Sequence, residues 1–288
     1  MSDQATSLRA LAYRERNVPR NNLRIISVTS GKGGVGKTNF TVNLAIALAE
    51  YGYRVIIFDG DLGLANVDVA CGIAPRYTME HLLTGEKTLE EIIVEGPMGI
   101  GILPGGSGAL ELANLDKARL TALIANLRRL ENLADILLID TGAGLNHNVL
   151  HFLLASDDII LLTTPEPTAL TDAYGLLKTL YHYSDKVSVN VVVNRVTAEA
   201  EAKVTYERLE TAARKFLRYS LTYWGWIYED PAVRRAVMQQ EPLGVVYPNS
   251  SAYRCIKWIA STVSGTYLRP PRQSVGIRGF LAAFLKIV

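Results

Sequence analysis

A mostly parallel, twisted α/β sheet of about eight strands flanked by helices is the architecture this sequence predicts. Three observations carry that expectation. Short apolar, β-branched runs recur at Leu23 to Ser30 (LRIISVTS), Arg54 to Phe58 (RVIIF) and Asp135 to Ile139 (DILLI), and each stops against an Asp or a Gly. Segments of helical spacing alternate with such runs over 288 residues of 49% hydrophobic content, enough for one large core. Between the first run and a helix expected over Asn39 to Tyr51 lies Gly31-Lys32-Gly33-Gly34-Val35-Gly36-Lys37-Thr38, a phosphate-loop pattern in its required order of strand, loop and helix.

The first element, LRIISVTS, reads as a short buried strand feeding that loop. A triphosphate is held by successive backbone N–H groups that point into one concavity, and glycines give the backbone the freedom to form it. Gly33, Gly34, Val35 and Gly36 supply the cradle. Lys37 would reach the β and γ phosphates, Thr38 would place its hydroxyl on Mg²⁺, and the helix beginning at Thr38 and Asn39 would present its positive end. ATP or ADP with Mg²⁺ is therefore the expected ligand.

The second strand, RVIIF, ends at Asp59-Gly60-Asp61, and the later run DILLI ends at Asp140-Thr141-Gly142. Ligands of open parallel sheets sit beyond the carboxyl ends of the strands, so these carboxylates converge on the phosphates and the metal. Asp140 is the candidate for holding Mg²⁺ through water, with Thr38 and Asp59 as further candidates around the metal. Asp61 is the candidate for orienting the attacking water. An Asp after a strand also serves as a helix cap or turn residue, and for Asp59 both readings stand.

GKGGVGKT with its early lysine, DGDLGLANVDVACG at 59 to 72 and IDTGAGL at 139 to 145 resemble the MinD/ParA group of P-loop ATPases, over residues 23 to about 265. The resemblance implies a MinD-like fold and two subunits that sandwich two ATP molecules. Lys32 then matches the signature lysine that reaches the partner's phosphates, adding positive charge where the transition state gathers negative charge. Asn194 in VVVNRV matches the asparagine that reads the adenine edge, Asp230-Pro231 matches the base pocket, and Glu166 falls near the nucleotide and the dimer seam. A strand-terminal asparagine also occurs as a plain turn residue.

Composition excludes other classes. Cys71 and Cys255 are the only cysteines and lack metal-ligand spacing, which leaves no ligand set for an iron–sulfur reductase or carrier. A net charge of +2 does not compel a DNA-coating surface, so direct DNA binding is not expected, and a DNA-associated regulator of the ParA kind, like a MinD-type division-site regulator, stays an alternative; Arg214, Lys215 and Arg218, and Arg234 with Arg235, are short clusters of the kind seen on solvated helix faces. No terminal tyrosine cluster points to a tyrosine kinase. Neither an early apolar signal segment nor a run of about 18 apolar residues occurs, so a cytoplasmic protein is expected.

Both ends carry further signals. Residues 1 to 22 precede the first strand, and Leu8, Leu11 and Ala12 share one face of a helix too short to be stable alone. Asp3-Gln4-Ala5-Thr6-Ser7-Leu8-Arg9 resembles the N-terminal DQAxxLR motif of the FlhG family of flagellar assembly. That resemblance implies activation of an FlhF-type signal-recognition GTPase, with Asp3, Gln4, Leu8 and Arg9 as contacts and Gln4 orienting water in the partner's site. It also implies flagellar C-ring components or a transcription regulator as partners. At the other end, residues 266 to 274 (TYLRPPRQS) read as a linker. Beyond it, over residues 275 to 288, Ile277, Phe280, Leu281, Phe284, Leu285 and Val288 form one apolar stripe flanked by Arg278 and Lys286. Such a helix lies reversibly in a membrane interface, here the inner face of the cell membrane, or docks on the protein's own body, and the spacing fits both.

Overall fold

The computed structural model describes residues 23–61, 66–106, 126–144, 147–184, 187–265 and 276–286. The apolar run RIISVT becomes β1 (Arg24–Thr29), buried from its second residue onward. The loop after it leads into α1 (Lys37–Glu50), which starts two residues earlier than the apolar spacing alone indicated. β2 (Val55–Gly60), α2 (Val67–Cys71), α3 (Met79–Leu83) and α4 (Leu89–Ile92) follow. A small hairpin of β3 (Val94–Glu95) and β4 (Gly101–Leu103) comes next, then α5 (Leu130–Leu133), β5 (Ile136–Thr141), α6 (His147–Ala155) and β6 (Asp158–Thr163). The chain continues through α7 (Pro167–Tyr183), β7 (Val189–Val196), α8 (Glu199–Ala212), β8 (Thr222–Tyr228), α9 (Pro231–Gln239), α10 (Leu243–Val246), α11 (Ser251–Val263) and α12 (Gly276–Lys286).

The eight strands form one sheet in the order β3-β4-β2-β5-β1-β6-β7-β8. Among the described residues only β3 and β4 pair antiparallel, as the hairpin requires; the other pairs run parallel. β1 lies between β5 and β6, where the winding reverses, so the crevice at its carboxyl end is the expected ligand position. The register of β2 on β5 sets Asp59 opposite Asp140, bringing two distant acidic turns side by side.

Alternation along each strand divides the core. Ile26, Val28, Ile57 and Leu138 face α1 and α11, with Phe40, Leu44, Tyr253 and Ile256. On this side α1 is tied to α11: the Tyr253 hydroxyl donates to Glu50 Oε1 at 2.8 Å, and Lys257 Nζ lies 2.7 Å from Glu50 Oε2. The opposite faces of β1, β2 and β5 offer Ile25, Phe58, Leu137 and Ile139 to a second layer.

That second layer includes α12. Ile277, Phe280, Leu281 and Phe284 are all buried in it, the Phe284 ring lying 5.2 Å from that of Phe152 and 5.4 Å from that of His151. In this state α12 (Gly276–Lys286) docks on the protein's own body, one of the two readings of the C-terminal stripe. The Leu285 side chain and Val288 lie outside the described residues, as do the linker and the N-terminal segment with Asp3, Gln4, Leu8 and Arg9. No described helix is long and apolar enough to cross a membrane. Cys71 and Cys255 are free thiols.

Candidate nucleotide site

The loop from Gly31 to Gly36 is shaped by what a side chain would strike. A Cβ on Gly31 would fall 2.2 Å from the backbone of Asp172 in α7, and Gly36 adopts φ +96° with Asn194 Nδ2 2.8 Å from where its Cβ would be. Only glycine satisfies both positions. Gly34 also has positive φ and opens on free space. The loop is thus pressed between α7 and the end of β7 on its outer side, with the start of α1 behind it.

Lys37, Thr38 and Asn39 form the first turn of α1, whose free N–H groups and positive dipole end favour an anion. Thr38 Oγ1 donates to Asp140 Oδ2 at 2.6 Å. One turn on, Thr41 Oγ1 lies 3.1 Å from Asp140 Oδ1, so both carboxylate oxygens are engaged by hydroxyls of the same helix. Burial pushes the Asp140 carboxyl up to about 6, opposed by the Thr38 hydrogen bond and the nearby charge of Lys37. Thr41 was not singled out by the sequence reading; its signal is a hydroxyl three residues after Thr38, on the same helical face.

Asp59 does different work. Its carboxylate accepts from the backbone N–H groups of Asp61 at 3.2 Å, Asn66 at 3.0 Å and Val67 at 3.1 Å. The capping reading therefore describes its observed role, since it ties the end of β2 to the start of α2. Burial raises its carboxyl to about 7; the Val67 N–H pulls the other way, and the negative charge of Asp140 adds to the rise. Asp61 follows β2, with its Oδ1 3.3 Å from where a Cβ on Gly142 would stand, and so overhangs the turn leaving β5. Its charge is felt at Asp140.

Lys32 reaches back across its own subunit. Its Nζ lies 2.9 Å from Glu166 Oε2 and 3.0 Å from Thr168 Oγ1, at the start of α7. Glu166 is held below the ordinary carboxyl range, first by that hydrogen bond and then by the charge of Lys32. Asn194 braces the loop: its Nδ2 donates to the Val35 carbonyl at 2.8 Å, and its Oδ1 accepts from the N–H of Arg195 at 2.9 Å. Asp230 caps α9 through the N–H of Ala232 at 2.8 Å and accepts from the Ser251 hydroxyl at 2.7 Å, joining two helix starts. Pro231 begins α9, where its missing N–H is harmless.

The donor set fits Mg²⁺ and a polyphosphate. Mg²⁺ prefers hard oxygen ligands, takes few from the protein and keeps several waters, which the Thr38 hydroxyl and the Asp140 carboxylate match. The loop supplies N–H groups and Lys37 the charge. A parallel sheet whose first strand ends in such a loop, beside an Asp from the neighbouring strand, defines a P-loop nucleoside triphosphatase.

Comparison with known proteins agrees. A family described as an AAA domain matches residues 23–193. The chain is 37% identical over 241 residues to the antiactivator FleN of Pseudomonas aeruginosa, covering 84% of this chain and 86% of that protein. It is 35% identical over 272 residues to the flagellum site-determining protein YlxH of Helicobacter pylori, covering 93% and 91%. The septum site-determining protein MinD of Pyrococcus horikoshii, solved with Mg-ADP, superposes with a TM-score of 0.67 at 27% identity, covering 86% of this chain and 100% of that one. The chain belongs to the MinD/ParA family of P-loop ATPases, in the group that holds FleN and YlxH (FlhG). It is an ATPase, with ATP, ADP and Mg²⁺ as its ligands.

Proposed function

We propose that the chain is an ATP-driven dimerising switch that sets flagellar number or placement from the inner face of the cell membrane. The flagellar part rests on its likeness to FleN and YlxH over most of its length and on the N-terminal motif. The observation that carries the switch is Lys32: a loop lysine that turns to Glu166 and Thr168 instead of its own phosphate cradle is free to serve another subunit's nucleotide.

In this reading Lys37 and the N–H groups of 33 to 38 hold the phosphates, while Thr38 and Asp140 hold Mg²⁺. Asp61 orients water, Asn194 reads the adenine edge, and Asp230 with Pro231 borders the base pocket. Glu166 holds Lys32 until a partner arrives. The pair is exposed to solvent, and an ion pair in water is weak enough to release. C-ring components or a flagellar transcription regulator are the downstream partners, without direct DNA binding.

Membrane binding requires α12 to leave its groove. One helix gains little after the cost of ordering it, whereas two helices on one dimer raise avidity by roughly a hundredfold or more. The groove can be tested apart from the helix. Phe152→Ala removes the ring under Phe284, and a buried Phe→Ala change costs about 3–5 kcal/mol. Even a third of that loss falling on the docked state raises the released fraction roughly tenfold. Co-sedimentation with anionic liposomes without ATP should rise accordingly; unchanged sedimentation would rule out α12 as the buried anchor.

The deciding experiment measures GTP turnover by an FlhF-type GTPase with wild type, Gln4→Ala and a chain lacking residues 1–20. Stimulation lost in both variants establishes the flagellar partner. With no stimulation by wild type, the reading passes to division-site regulation of the MinD kind.

A further inference from the structure

We infer that Thr41 is a positioning residue for the Mg²⁺ site: its hydroxyl fixes the second oxygen of Asp140, so that the carboxylate keeps its orientation when Thr38 engages the metal. The inference rests on the reading that Asp140 helps to hold Mg²⁺, and its test separates the two.

The geometry is specific. Thr41 is fully buried on α1, and its Oγ1 lies 3.1 Å from Asp140 Oδ1 and 3.0 Å from the Lys37 carbonyl. A hydroxyl has one proton to give. The Lys37 carbonyl already stands where the helix directs the N–H four residues on, whereas an ionised carboxylate is the stronger acceptor. The proton therefore belongs to Asp140, and Thr41 is more than a mid-helix threonine bonded back to its own turn.

The need for a second hydroxyl follows from Thr38. Its Oγ1 is the sole hydroxyl on Oδ2 among the contacts described, and it is also a group that would help to hold Mg²⁺. If it turned to the metal, the Thr38–Asp140 bond would have to adjust. A carboxylate held at one oxygen would rotate about its χ2 bond, which is a soft torsion. Held at Oδ1 from the next turn of the same helix, it cannot rotate freely. Thr41 thus links the metal side of the loop to the rigid body of α1, so that phosphate cradle, metal carboxylate and helix move together. Partners of metal-holding carboxylates contribute about 10–100-fold to metal affinity when removed.

The test reads binding, not turnover. A fluorescent ADP analogue is titrated against wild type, Thr41→Val, Thr41→Ser and Asp140→Asn, each with Mg²⁺ and with EDTA. Thr41→Val keeps the shape and removes the hydroxyl, so its Mg²⁺-dependent gain in affinity should shrink tenfold or more while affinity in EDTA stays at the wild-type value. Thr41→Ser should restore the gain. A wild-type gain in Thr41→Val overturns the positioning role, and so does equal loss in Mg²⁺ and EDTA, which would mark a packing role. If Thr41→Val does not fold, Thr41→Ala against Thr41→Ser makes the same comparison. If Asp140→Asn itself keeps the full Mg²⁺ gain, it is the metal reading of Asp140 that fails.

Discussion

Lys32→Ala should leave ATP binding within a few fold of wild type and lower ATP turnover by about a thousandfold. The two effects separate because Lys32 makes no demand on its own cradle: its Nζ is bonded to Glu166 and Thr168, on the flank of α7. Binding rests on Lys37 and the loop N–H groups, which the substitution leaves in place. Turnover rests on charge delivered to the transition state, and a cation supplied in trans is worth about 10³–10⁵ in rate. Light scattering with a non-hydrolysable ATP analogue should show a dimer for wild type and a monomer for the variant. A variant that dimerises and turns over normally would remove Lys32 from the partner's site.

Lys37→Ala should abolish nucleotide binding, with affinity falling a hundredfold or more. Lys37 is nearly buried at the first position of α1, and its charge holds down the carboxyl of Asp140, which burial otherwise raises. In the proposed site, removing it would cost the phosphates their cation, and it would also let Asp140 take a proton more readily near neutral pH, which would weaken any hold on Mg²⁺. Thermal unfolding reads both. At a ligand concentration a hundred times the dissociation constant, binding stabilises a protein by about 2.7 kcal/mol, so wild type should melt markedly later with Mg-ATP. The variant should melt at one temperature with or without it. A retained shift would displace the phosphate-loop assignment.

The parts of this site that are contiguous in sequence were legible. The loop, the start of α1 and the acid at the end of β5 obey local rules of backbone freedom and strand order, and they stand where those rules put them. Partnerships across the fold were not legible. Nothing near Asp59 in the sequence reveals that Asn66 and Val67, seven and eight residues on, turn their N–H groups onto it, because no local spacing rule pairs a strand-end carboxylate with N–H groups that far along the chain. Asn194 is 159 residues from Val35 and meets it only because β7 ends beside the loop. The stripe on α12 was visible, but a lipid surface and a protein groove ask the same spacing of a helix, and the packing of Phe284 on Phe152 shows only that the groove is occupied in this state.

The direction of β1 has a geometric result for any assembly built on this site. The strand delivers its carboxyl end to the phosphate loop, so Arg24, six residues and about 20 Å earlier, stands on the far rim of the sheet. Two copies pressed together over ATP would meet at the near rims and turn the far rims outward. The particle would then have two poles, each marked by the point where a polypeptide enters its sheet. Those two points would be held apart by the thickness of both subunits.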